Sequence, residues 1–403
     1  MSDFFQNGEI ATFHRLSKRS FTELEDELTA AVKHRRISLV LPYIPLELTG
    51  RGLPRIVEDL RKVEYLQNIV VTIGQADRDD FLAAREFFSN LPQKPKLIWC
   101  TGPRIESLYR RFGENGMDVG KDGKGRSSWT AYGYILGREN SEVVALHDCD
   151  IVSYNRDLLA RLCYAIANPT VDFEFCKGYY SRVTNRMHGR VTRIFVTPLI
   201  RALKAALGPN RFLDYLDSFR YILAGEFSMS TDLARRIQIP GDWGIEIGVL
   251  AEVHRNCAMR RICQVDLSDN YEHKHQPLTL VDPNKGLLKM GTDIAKCLFR
   301  TLASMGHTFS NEFFISLKSG YLRNAQELIA RYAYDSLING LDYDRHAEGC
   351  AAEAFISCIM SAREQFLETP VETPYLPSWN RVVSAVPNAF SLLMDAVEQD
   401  NRE

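Results

Sequence analysis

The sequence lacks the features that mark membrane proteins, secreted proteins and nucleic-acid-binding proteins. No apolar run approaches the roughly 20 residues that cross a bilayer, and the polar residues 1–9 contain no apolar signal segment. The formal net charge is only −2, because 49 Lys and Arg are mixed with 51 Asp and Glu along the chain. No broad basic surface follows from such a balance. We therefore expect a cytoplasmic protein without nucleic-acid or membrane partners.

Cysteine pairs with metal-binding spacing are also missing. The nine cysteines are scattered, form no C-x-x-C motif and are odd in number. This pattern argues against structural zinc and against a disulfide framework, and reduced thiols are the simpler interpretation. At 403 residues, with 45% hydrophobic and 25% charged residues, the chain has the composition of a globular protein and the length of two or three domains.

Short apolar strands alternate with amphipathic helices in the first part of the chain, after a loosely held arm at 1–20 and a helix at 21–32. Strands are predicted at 37–42, 68–74 and 96–100, and helices at 53–63, 79–88 and 104–111. The alternation indicates an α/β fold with a mainly parallel sheet, whose ligand crevice lies beyond the carboxyl ends of the strands. Further strands are predicted at 173–178 and 262–267. From residue 287 onward the pattern predicts many short amphipathic helices, suited to packing or dimerisation.

Two carboxylates follow an apolar, strand-like run at 143–146. Asp148 and Asp150 are two residues apart, so in an extended backbone they point the same way. Hard oxygen ligands of this kind suit Mg²⁺ or Mn²⁺, particularly when the phosphates of a substrate supply the other ligands. The same spacing occurs at 77–79 and 342–344, where nothing else suggests metal chemistry. The spacing alone therefore leaves a metal site and a solvated turn as alternatives.

Two further segments could bind anions. The glycine-rich loop at 112–125 contains Lys124 shortly before a predicted helix at 127–136, and glycines let a backbone approach a phosphate closely. The loop is not a P-loop, and a mobile surface loop is the alternative. Arg190 and Thr192 begin a second predicted helix, where an anion would be favoured. The alternative there is a solvated basic face.

Glu246 and a pair of histidines complete the candidate residues. Glu246 lies in an otherwise uncharged stretch that follows the turn at 240–244, and a buried carboxylate needs a partner such as sugar hydroxyls, a base or a metal. A glutamate bonded to backbone amides in the core is the alternative. His273 and His275 follow the last predicted strand, and both or only one of them could reach a site.

Read together and in order, the segments from about residue 120 to 278 resemble the glucosyl-3-phosphoglycerate synthase family of retaining glycosyltransferases. The matching segments are Gly123-Lys124-Gly125, Leu146-His147-Asp148-Cys149-Asp150, Lys177-Gly178-Tyr179-Tyr180, Gly189-Arg190-Val191-Thr192, Leu223-Ala224-Gly225-Glu226, Gly244-Ile245-Glu246-Ile247-Gly248 and Gln264-Val265-Asp266-Leu267 with His273. The first 110 residues match less well. They keep one acid, Glu47, after the first strand, and they lack the acidic run that the family carries after its second strand. The donor's base is therefore left open.

The resemblance implies a role for each candidate residue. The metal ligands would be Asp148, Asp150 and His273, and Lys124 and Glu246 would serve the transfer itself. The donor-binding set would be Pro42, Glu47, Gly74, Lys124, Asp148, Cys149, Asp150, Leu223 and Glu246. The acceptor-binding set would be Gly189, Arg190 and Thr192.

The resemblance also implies a GT-A fold and a reaction. Glucose would pass from UDP-glucose, or another nucleotide-glucose, to the 2-hydroxyl of 3-phospho-D-glycerate with retained configuration and with Mg²⁺ or Mn²⁺ as cofactor. We assign an arm and helix to 1–35, the catalytic domain to 36–280 and a helical region suited to dimerisation to 281–403. The catalytic domain would divide into a nucleotide-sugar half, 36–150, and an acceptor half, 151–280. Alternatives are mannosyl transfer to glycerate or its phosphate, a nucleotidyltransferase, and a non-enzymatic scaffold.

Overall fold

A mixed sheet organises the computed structural model, which describes residues 6, 8–16, 19–272, 286–369 and 375–402. Its eight strands are β1 (Ala11–Phe13), β2 (Ile37–Tyr43), β3 (Leu66–Ile73), β4 (Lys96–Trp99), β5 (Val143–Leu146), β6 (Phe175–Tyr180), β7 (Phe227–Ser230) and β8 (Ile262–Ser268). Their order across the sheet is β1-β8-β6-β7-β5-β2-β3-β4. Every neighbouring pair is parallel except the two pairs of β7, which runs antiparallel to β5 and β6.

Helices connect the strands and cover both faces of the sheet. They are α1 (Phe21–Ala31), α2 (Gly52–Leu60), α3 (Arg78–Phe88), α4 (Pro103–Glu114), α5 (Lys124–Arg138), α6 (Arg156–Ala167), α7 (Thr197–Leu207), α8 (Arg211–Asp217), α9 (Thr231–Arg236) and α10 (Ile245–Asn256). Short 3₁₀ turns occur at Pro45–Thr49 and Met259–Arg261, and a π-turn at Thr192–Val196 leads into α7. Alternate residues of the inner strands enter different cores. Leu39 and Leu41 face one, and Val40 faces the other.

The predicted α/β fold with a mainly parallel sheet is confirmed, with three corrections. The arm at 1–20 is not loose throughout, because Ala11–Phe13 pairs with β8 at the edge of the sheet. The antiparallel strand β7 was not predicted, since four residues, two of them serines, give too short a pattern. Finally, α5 begins at Lys124, three residues before the predicted start, so the end of the glycine-rich loop belongs to the helix.

The helical C-terminal region is confirmed, but its helices are not all short. They are α11 (Gly286–Ser304), α12 (Asn311–Ile338), α13 (Arg345–Glu368), α14 (Trp379–Ala385) and α15 (Ala389–Arg402). α12 and α13 run for 28 and 24 residues, and each begins at a side-chain cap, Ser310 and Asp344 respectively. None of the helices in the described ranges is both long and apolar enough to cross a membrane.

The C-terminal region is packed into the same core as the sheet. The Trp379 ring stacks on the Trp129 ring of α5 with centroids 4.3 Å apart, and the Trp379 indole N–H donates to the Trp129 carbonyl over 2.9 Å. α15 lies along β4 and α4, where Lys96 pairs with Glu398 over 2.5 Å and Arg104 pairs with Asp400 over 2.6 Å. These contacts fix α5, and therefore its first residue, Lys124, relative to the sheet.

Candidate active site

Asp148 and Asp150 lie just beyond the carboxyl end of β5, and the side chain between them points away. Cys149 is fully buried in the core under the sheet, where burial raises the pKa of its thiol. Burial and then the charges of Asp148 and Glu226 raise the pKa of Asp150 to about 7. A Cβ added at Gly52 would lie 2.7 Å from the Asp150 carbonyl carbon, so the first turn of α2 closes over this segment.

A buried histidine holds the main chain of the same segment. His147 has no exposed surface, and its Nδ1–H donates to the carbonyl oxygen of Asp148 over 2.9 Å. Burial lowers the pKa of the imidazole to about 4, so the ring is neutral at pH 7. It packs against the Tyr154 ring, with centroids 5.0 Å apart. His147 therefore supports the acidic turn from behind and was not among the predicted site residues.

Lys124 contacts two of the predicted acidic residues, Asp148 and Glu246. Its Nζ lies 2.6 Å from Asp148 Oδ1 and 3.5 Å from Glu246 Oε1. Burial by itself lowers the pKa of this amine, but the carboxylates of Asp148 and Glu246 outweigh it and hold the pKa above its usual value. Glu246 is only 8% exposed, and its Oε2 makes no hydrogen bond within the described part of the chain. Three residues that sequence reasoning selected from separate segments are thus in contact.

Glycines allow the two segments that carry Lys124 and Glu246 to approach each other. A Cβ at Gly125 would lie 2.1 Å from the carbonyl oxygen of Pro240, and one at Gly123 would lie 3.1 Å from that of Gly241. Real Cβ atoms do not come as close as the first distance, so only glycine fits at 125. The turn at 240–244 therefore rests directly on the start of α5.

A second tight turn, Leu223-Ala224-Gly225-Glu226, closes the other side. A Cβ at Gly225 would lie 2.5 Å from Asp148 Oδ2 and 2.9 Å from Lys124 Nζ. Lys177, at 1% exposure, donates from Nζ to the carbonyl oxygen of Ala224 over 2.7 Å. Burial, opposed by nearby glutamates, lowers the pKa of Lys177 to about 8. Leu223 itself is buried in the core.

Glu226 is the fully buried acid of this site, and sequence reasoning did not select it. The hydroxyl groups of Tyr180 and Tyr271 both donate to its carboxylate, Tyr180 over 2.7 Å. The two tyrosine rings stack on each other with centroids 3.6 Å apart. Burial, and then the charge of Asp148, raise the pKa of Glu226. Its position within the motif at 223–226 was the available signal, as was that of Lys177 in the motif at 177–180.

The remaining residues that the sequence predicts to bind the donor lie at neighbouring strand ends. Burial, with the charges of Asp150 and Asp148, raises the pKa of Glu47 to about 8, which places this carboxylate near the acidic pair. Pro42 lies in β2, and Gly74 follows β3, where its N–H donates to the Tyr43 carbonyl over 3.1 Å. His273 lies outside the described residues.

The acidic cluster has the chemistry of a divalent-cation site. Besides burial, the charges of Asp150 and Asp148 raise the pKa of Glu47, and the charge of Asp148 raises that of Asp150, so the three carboxylates lie close together. Hard carboxylate oxygens are the ligands that Mg²⁺ and Mn²⁺ prefer. Within the ranges that the structure describes, no three His, Cys, Asp or Glu are grouped closely enough to hold a metal ion on their own. A substrate or a residue outside those ranges must therefore complete any metal site here.

The predicted acceptor residues lie at the start of the helical segment that leads into α7. Gly189 has φ +73°, and Thr192 is 7% exposed. Arg190 Nε donates to Glu348 Oε1 over 3.0 Å, and Arg193 Nη1 lies 3.2 Å from Glu348 Oε2. Glu348 belongs to α13, 158 residues away from Arg190. No local pattern could have predicted this contact.

The other two Asp-x-Asp sequences have structural roles. Asp77 caps α3 by accepting from the Asp80 N–H over 2.9 Å, and Asp344 caps α13 by accepting from the Ala347 N–H over 2.9 Å. Asp342 accepts from the Asn185 side chain over 2.8 Å. Only the pair at 148 and 150 lies at a strand end beside a lysine.

Comparisons with known proteins place the chain among the glycosyltransferases. No protein-family model matches it. The glucosyl-3-phosphoglycerate synthase of Persephonella marina is 48% identical over 403 residues, which is 100% of both chains. The enzyme of the same name from Methanococcoides burtonii is 36% identical over 408 residues, covering 100% of this chain and 98% of that one. The chain belongs to the glucosyl-3-phosphoglycerate synthase family.

Solved structures agree on the fold. The glucosyl-3-phosphoglycerate synthase of Mycobacterium tuberculosis, in complex with Mn²⁺, UDP-glucose and phosphoglyceric acid, superposes with a TM-score of 0.53 at 21% identity, covering 75% of this chain and 89% of that one. A structure of the same enzyme with Mn²⁺, UDP and glucosyl-3-phosphoglycerate gives a TM-score of 0.52. At this identity the likeness establishes the architecture, and residue roles must come from the geometry of this chain.

Proposed function

We propose that this protein transfers glucose from UDP-glucose to the 2-hydroxyl of 3-phospho-D-glycerate, giving glucosyl-3-phosphoglycerate. The observation that carries the proposal is the contact of Lys124 with both Asp148 and Glu246 at the carboxyl end of β5. The full-length relatives bear the name of this activity, and the Mycobacterium tuberculosis relative binds UDP-glucose and phosphoglyceric acid.

On the donor side, Asp148 and Asp150 hold Mg²⁺ or Mn²⁺ together with His273. The bound ion supplies Lewis-acid neutralisation of the departing nucleotide diphosphate. Lys124 adds a positive charge beside the same phosphates. The unpartnered Oε2 of Glu246 accepts hydrogen bonds from the hydroxyl groups of the sugar. Pro42, Glu47, Gly74, Cys149 and Leu223 complete the donor pocket, and Cys149 and Leu223, whose side chains are buried, do so through their main chain.

On the acceptor side, the helix start at Gly189, Arg190 and Thr192 binds the phosphate of 3-phosphoglycerate. Main-chain N–H groups and the helix dipole favour an anion at this place, and Arg190 adds a charged donor. Glu348 fixes the Nε edge of Arg190 and leaves the other guanidinium nitrogens available.

The transfer retains the α configuration by a front-face route, and no side chain is assigned as a nucleophile. The acceptor oxygen forms the bond to the anomeric carbon while the bond from that carbon to the diphosphate oxygen breaks. The proton of the acceptor hydroxyl passes to the leaving phosphate. In this route the enzyme positions the two substrates and stabilises the leaving charge.

We also infer that the enzyme is a cytoplasmic homodimer. All nine cysteines are unpaired, which suits a reducing compartment. The end of α12 exposes apolar side chains, with Leu337 at 78% and Ile338 at 85% exposure, and such surfaces are typical of subunit contacts. The division at residues 35, 150 and 280 stays our proposal for the domain boundaries. Light scattering of the purified protein tests the dimer, whose mass would be twice 46.0 kDa.

A screen of donors and acceptors tests the proposed reaction. UDP-, GDP- and ADP-glucose and GDP-mannose are each incubated with 3-phosphoglycerate or glycerate and with Mg²⁺ or Mn²⁺, and nucleotide release and the new glycoside are measured. We expect turnover with UDP-glucose and 3-phosphoglycerate only when a divalent ion is present. The Asp150→Ala variant should fold and lose this turnover. Product formation by Asp150→Ala at the wild-type rate would refute the metal assignment, and turnover of GDP-mannose alone would refute the glucosyl assignment.

A further inference from the structure

Arg182 is a half-buried cation beside the proposed acceptor site, and it has no role in the transfer described above. It follows β6 by two residues, in a turn where the His188 N–H donates to the Arg182 carbonyl over 2.8 Å. Its Nη1 donates to the Tyr221 hydroxyl over 2.9 Å. In the part of the chain that the structure describes, no carboxylate lies within ion-pair distance of Arg182. A half-buried guanidinium without an anion is unusual, because burying an unpaired charge is costly.

The Tyr221 hydroxyl connects Arg182 to the acceptor residues. A Cβ added at Gly189 would lie 3.1 Å from the same hydroxyl oxygen that accepts from Arg182. Gly189 and the guanidinium group therefore both lie close to one phenol oxygen. The Tyr221 ring is itself held against Tyr180, with centroids 5.0 Å apart.

The orientation of the guanidinium leaves one edge available. With Nη1 bound to Tyr221, the Nε and Nη2 groups make no hydrogen bond to any described residue, and Nε is buried. These two nitrogens form the parallel pair of donors that matches the two oxygens of a carboxylate. A buried donor without a partner needs an acceptor atom, and the carboxylate of a ligand would supply it.

The charges at the proposed acceptor site also indicate that a further cation is needed. Arg190 and Arg193 share the single carboxylate of Glu348, so these three groups carry one net positive charge. The acceptor has a phosphate group of about −1.5 to −2 at pH 7 in addition to its carboxylate. The helix start and Arg190 account for the phosphate. The carboxylate calls for another cation, and Arg182 is the half-buried arginine of the neighbouring turn that has no carboxylate partner among the described residues, whereas Arg186 of the same turn is exposed.

We propose that Arg182 binds the carboxylate of the acceptor and thereby makes the enzyme select phosphoglycerate over phosphorylated acceptors that lack a carboxylate. This inference rests on the proposed function and adds a specificity residue to it. Tyr221 acts as a positioning residue, because its hydroxyl holds Nη1 and so orients the available edge.

Two acceptors that differ at one group test the proposal. Glycerol 3-phosphate carries a hydroxymethyl group where 3-phosphoglycerate carries its carboxylate. Steady-state rates are measured for both at saturating UDP-glucose, with the wild type, Arg182→Met and Arg182→Lys. We expect Arg182→Met to lose about 10- to 100-fold in kcat/KM for 3-phosphoglycerate, the worth of one charged hydrogen-bonded pair. Its kcat/KM for glycerol 3-phosphate and its KM for UDP-glucose should stay within about twofold of wild type. Arg182→Lys should recover part of the loss.

A second variant and a control distinguish a loss of acceptor specificity from general damage to the structure. Tyr221→Phe keeps the ring and removes only the hydroxyl, and we expect it to lower kcat/KM by a smaller factor for 3-phosphoglycerate alone. Arg186→Met replaces an exposed arginine of the same turn and should leave kcat/KM unchanged for both acceptors. An equal loss for both acceptors in Arg182→Met, or no loss for either, would overturn the Arg182 assignment. If the wild type transfers no glucose to 3-phosphoglycerate, the proposed function fails first, and the assignment falls with it.

Discussion

At the scale of single residues, Lys177 is a base that the fold keeps out of water. Its amine is fully enclosed next to Glu246 and Glu226, and burial lowers its pKa from 10.5 to about 8. Below pH 8 the folded and unfolded chains both hold the proton, so folding bears the full cost of burying the charge. Between pH 8 and 10.5 the unfolded chain keeps a proton that the folded chain has released, so folding becomes more favourable as the pH rises.

We therefore expect Lys177→Met to be stabilised relative to wild type at pH 7, and this relative gain to disappear near pH 10. Between pH 7 and pH 10, the difference in unfolding free energy between Lys177→Met and wild type should shrink by on the order of 2–3 kcal/mol. Denaturant unfolding at pH 7, 8.5 and 10 measures it. Lys318→Met, at an exposed lysine of α12, is the matched control and should show no such trend. If the difference in unfolding free energy between Lys177→Met and wild type did not depend on pH, the lowered pKa of Lys177 would be contradicted.

Replacing Arg190 should weaken binding of the acceptor and leave binding of the donor unchanged. Arg190→Ala removes a guanidinium group from the helix start, and we expect the KM for 3-phosphoglycerate to rise by about 10- to 100-fold, as for the loss of a charge-assisted hydrogen bond. The KM for UDP-glucose should not change. Because the variant leaves Glu348 with Arg193 alone, its melting temperature must be measured alongside. A loss of donor binding instead would show that the acceptor site is elsewhere.

Single residues also show what the sequence could predict. Lys124, Asp148 and Glu246, which the structure brings into contact, could be selected because each stands out locally, as a lysine after glycines, an acid after an apolar strand, and an acid in an uncharged stretch. Lys177 and Glu226, which lie in the same cluster, were not selected, because a buried charge within a strand or turn looks like any polar residue until its partners are known. Glu348 could not be found, since only the tertiary fold brings α13 to Arg190.

At the scale of elements, the start of α5 is fitted to the turn at 240–244. A methyl group at residue 125 would lie 2.1 Å from the Pro240 carbonyl oxygen, and neither main chain can yield without moving Lys124 or the first turn of α10. We expect Gly125→Ala to reduce kcat/KM on the order of 100-fold, as small displacements of catalytic groups do, and to destabilise the fold by about 1–3 kcal/mol.

Gly113→Ala is the control for that variant. Gly113 lies in α4, and nothing occupies the space that its Cβ would enter. This substitution should leave activity unchanged and stabilise the protein by up to about 1 kcal/mol, because alanine favours a helix over glycine. Equal activities for the two variants would show that the contact with Pro240 does not position Lys124.

Elements with a strong repeating pattern were predictable, and those that depend on neighbours were not. The strands at 37–43 and 66–73 are apolar over most of their length, so their type and order could be predicted. β7 has four residues, and its antiparallel direction is set by its position between β5 and β6. β1 has three residues and exists as a strand because the edge of β8 offers it hydrogen bonds.

At the scale of the whole molecule, the C-terminal region completes the hydrophobic core on one face of the sheet. Trp379 stacks on Trp129, and a Cβ at Gly133 would lie 1.9 Å from the Trp379 ring, so the indole fills the space above α5. The Trp129 indole N–H in turn donates to the Pro377 carbonyl over 2.7 Å. The same helix, α5, carries Lys124 at its first turn. The stability of the C-terminal region and the geometry of the candidate site are therefore linked through α5.

We expect Trp379→Ala to lower the free energy of unfolding by about 3–5 kcal/mol, the usual cost of removing a large buried aromatic side chain. Because the tail and the sheet share one core, the loss should lower the melting temperature of the whole chain in a single transition, followed by circular dichroism and intrinsic fluorescence at one fixed scan rate. Ile315→Ala, at a residue of α12 that is 65% exposed, is the control and should cost less than about 0.5 kcal/mol. Two separate transitions in Trp379→Ala, with the sheet melting at the wild-type temperature, would show that the C-terminal helices fold independently of the sheet.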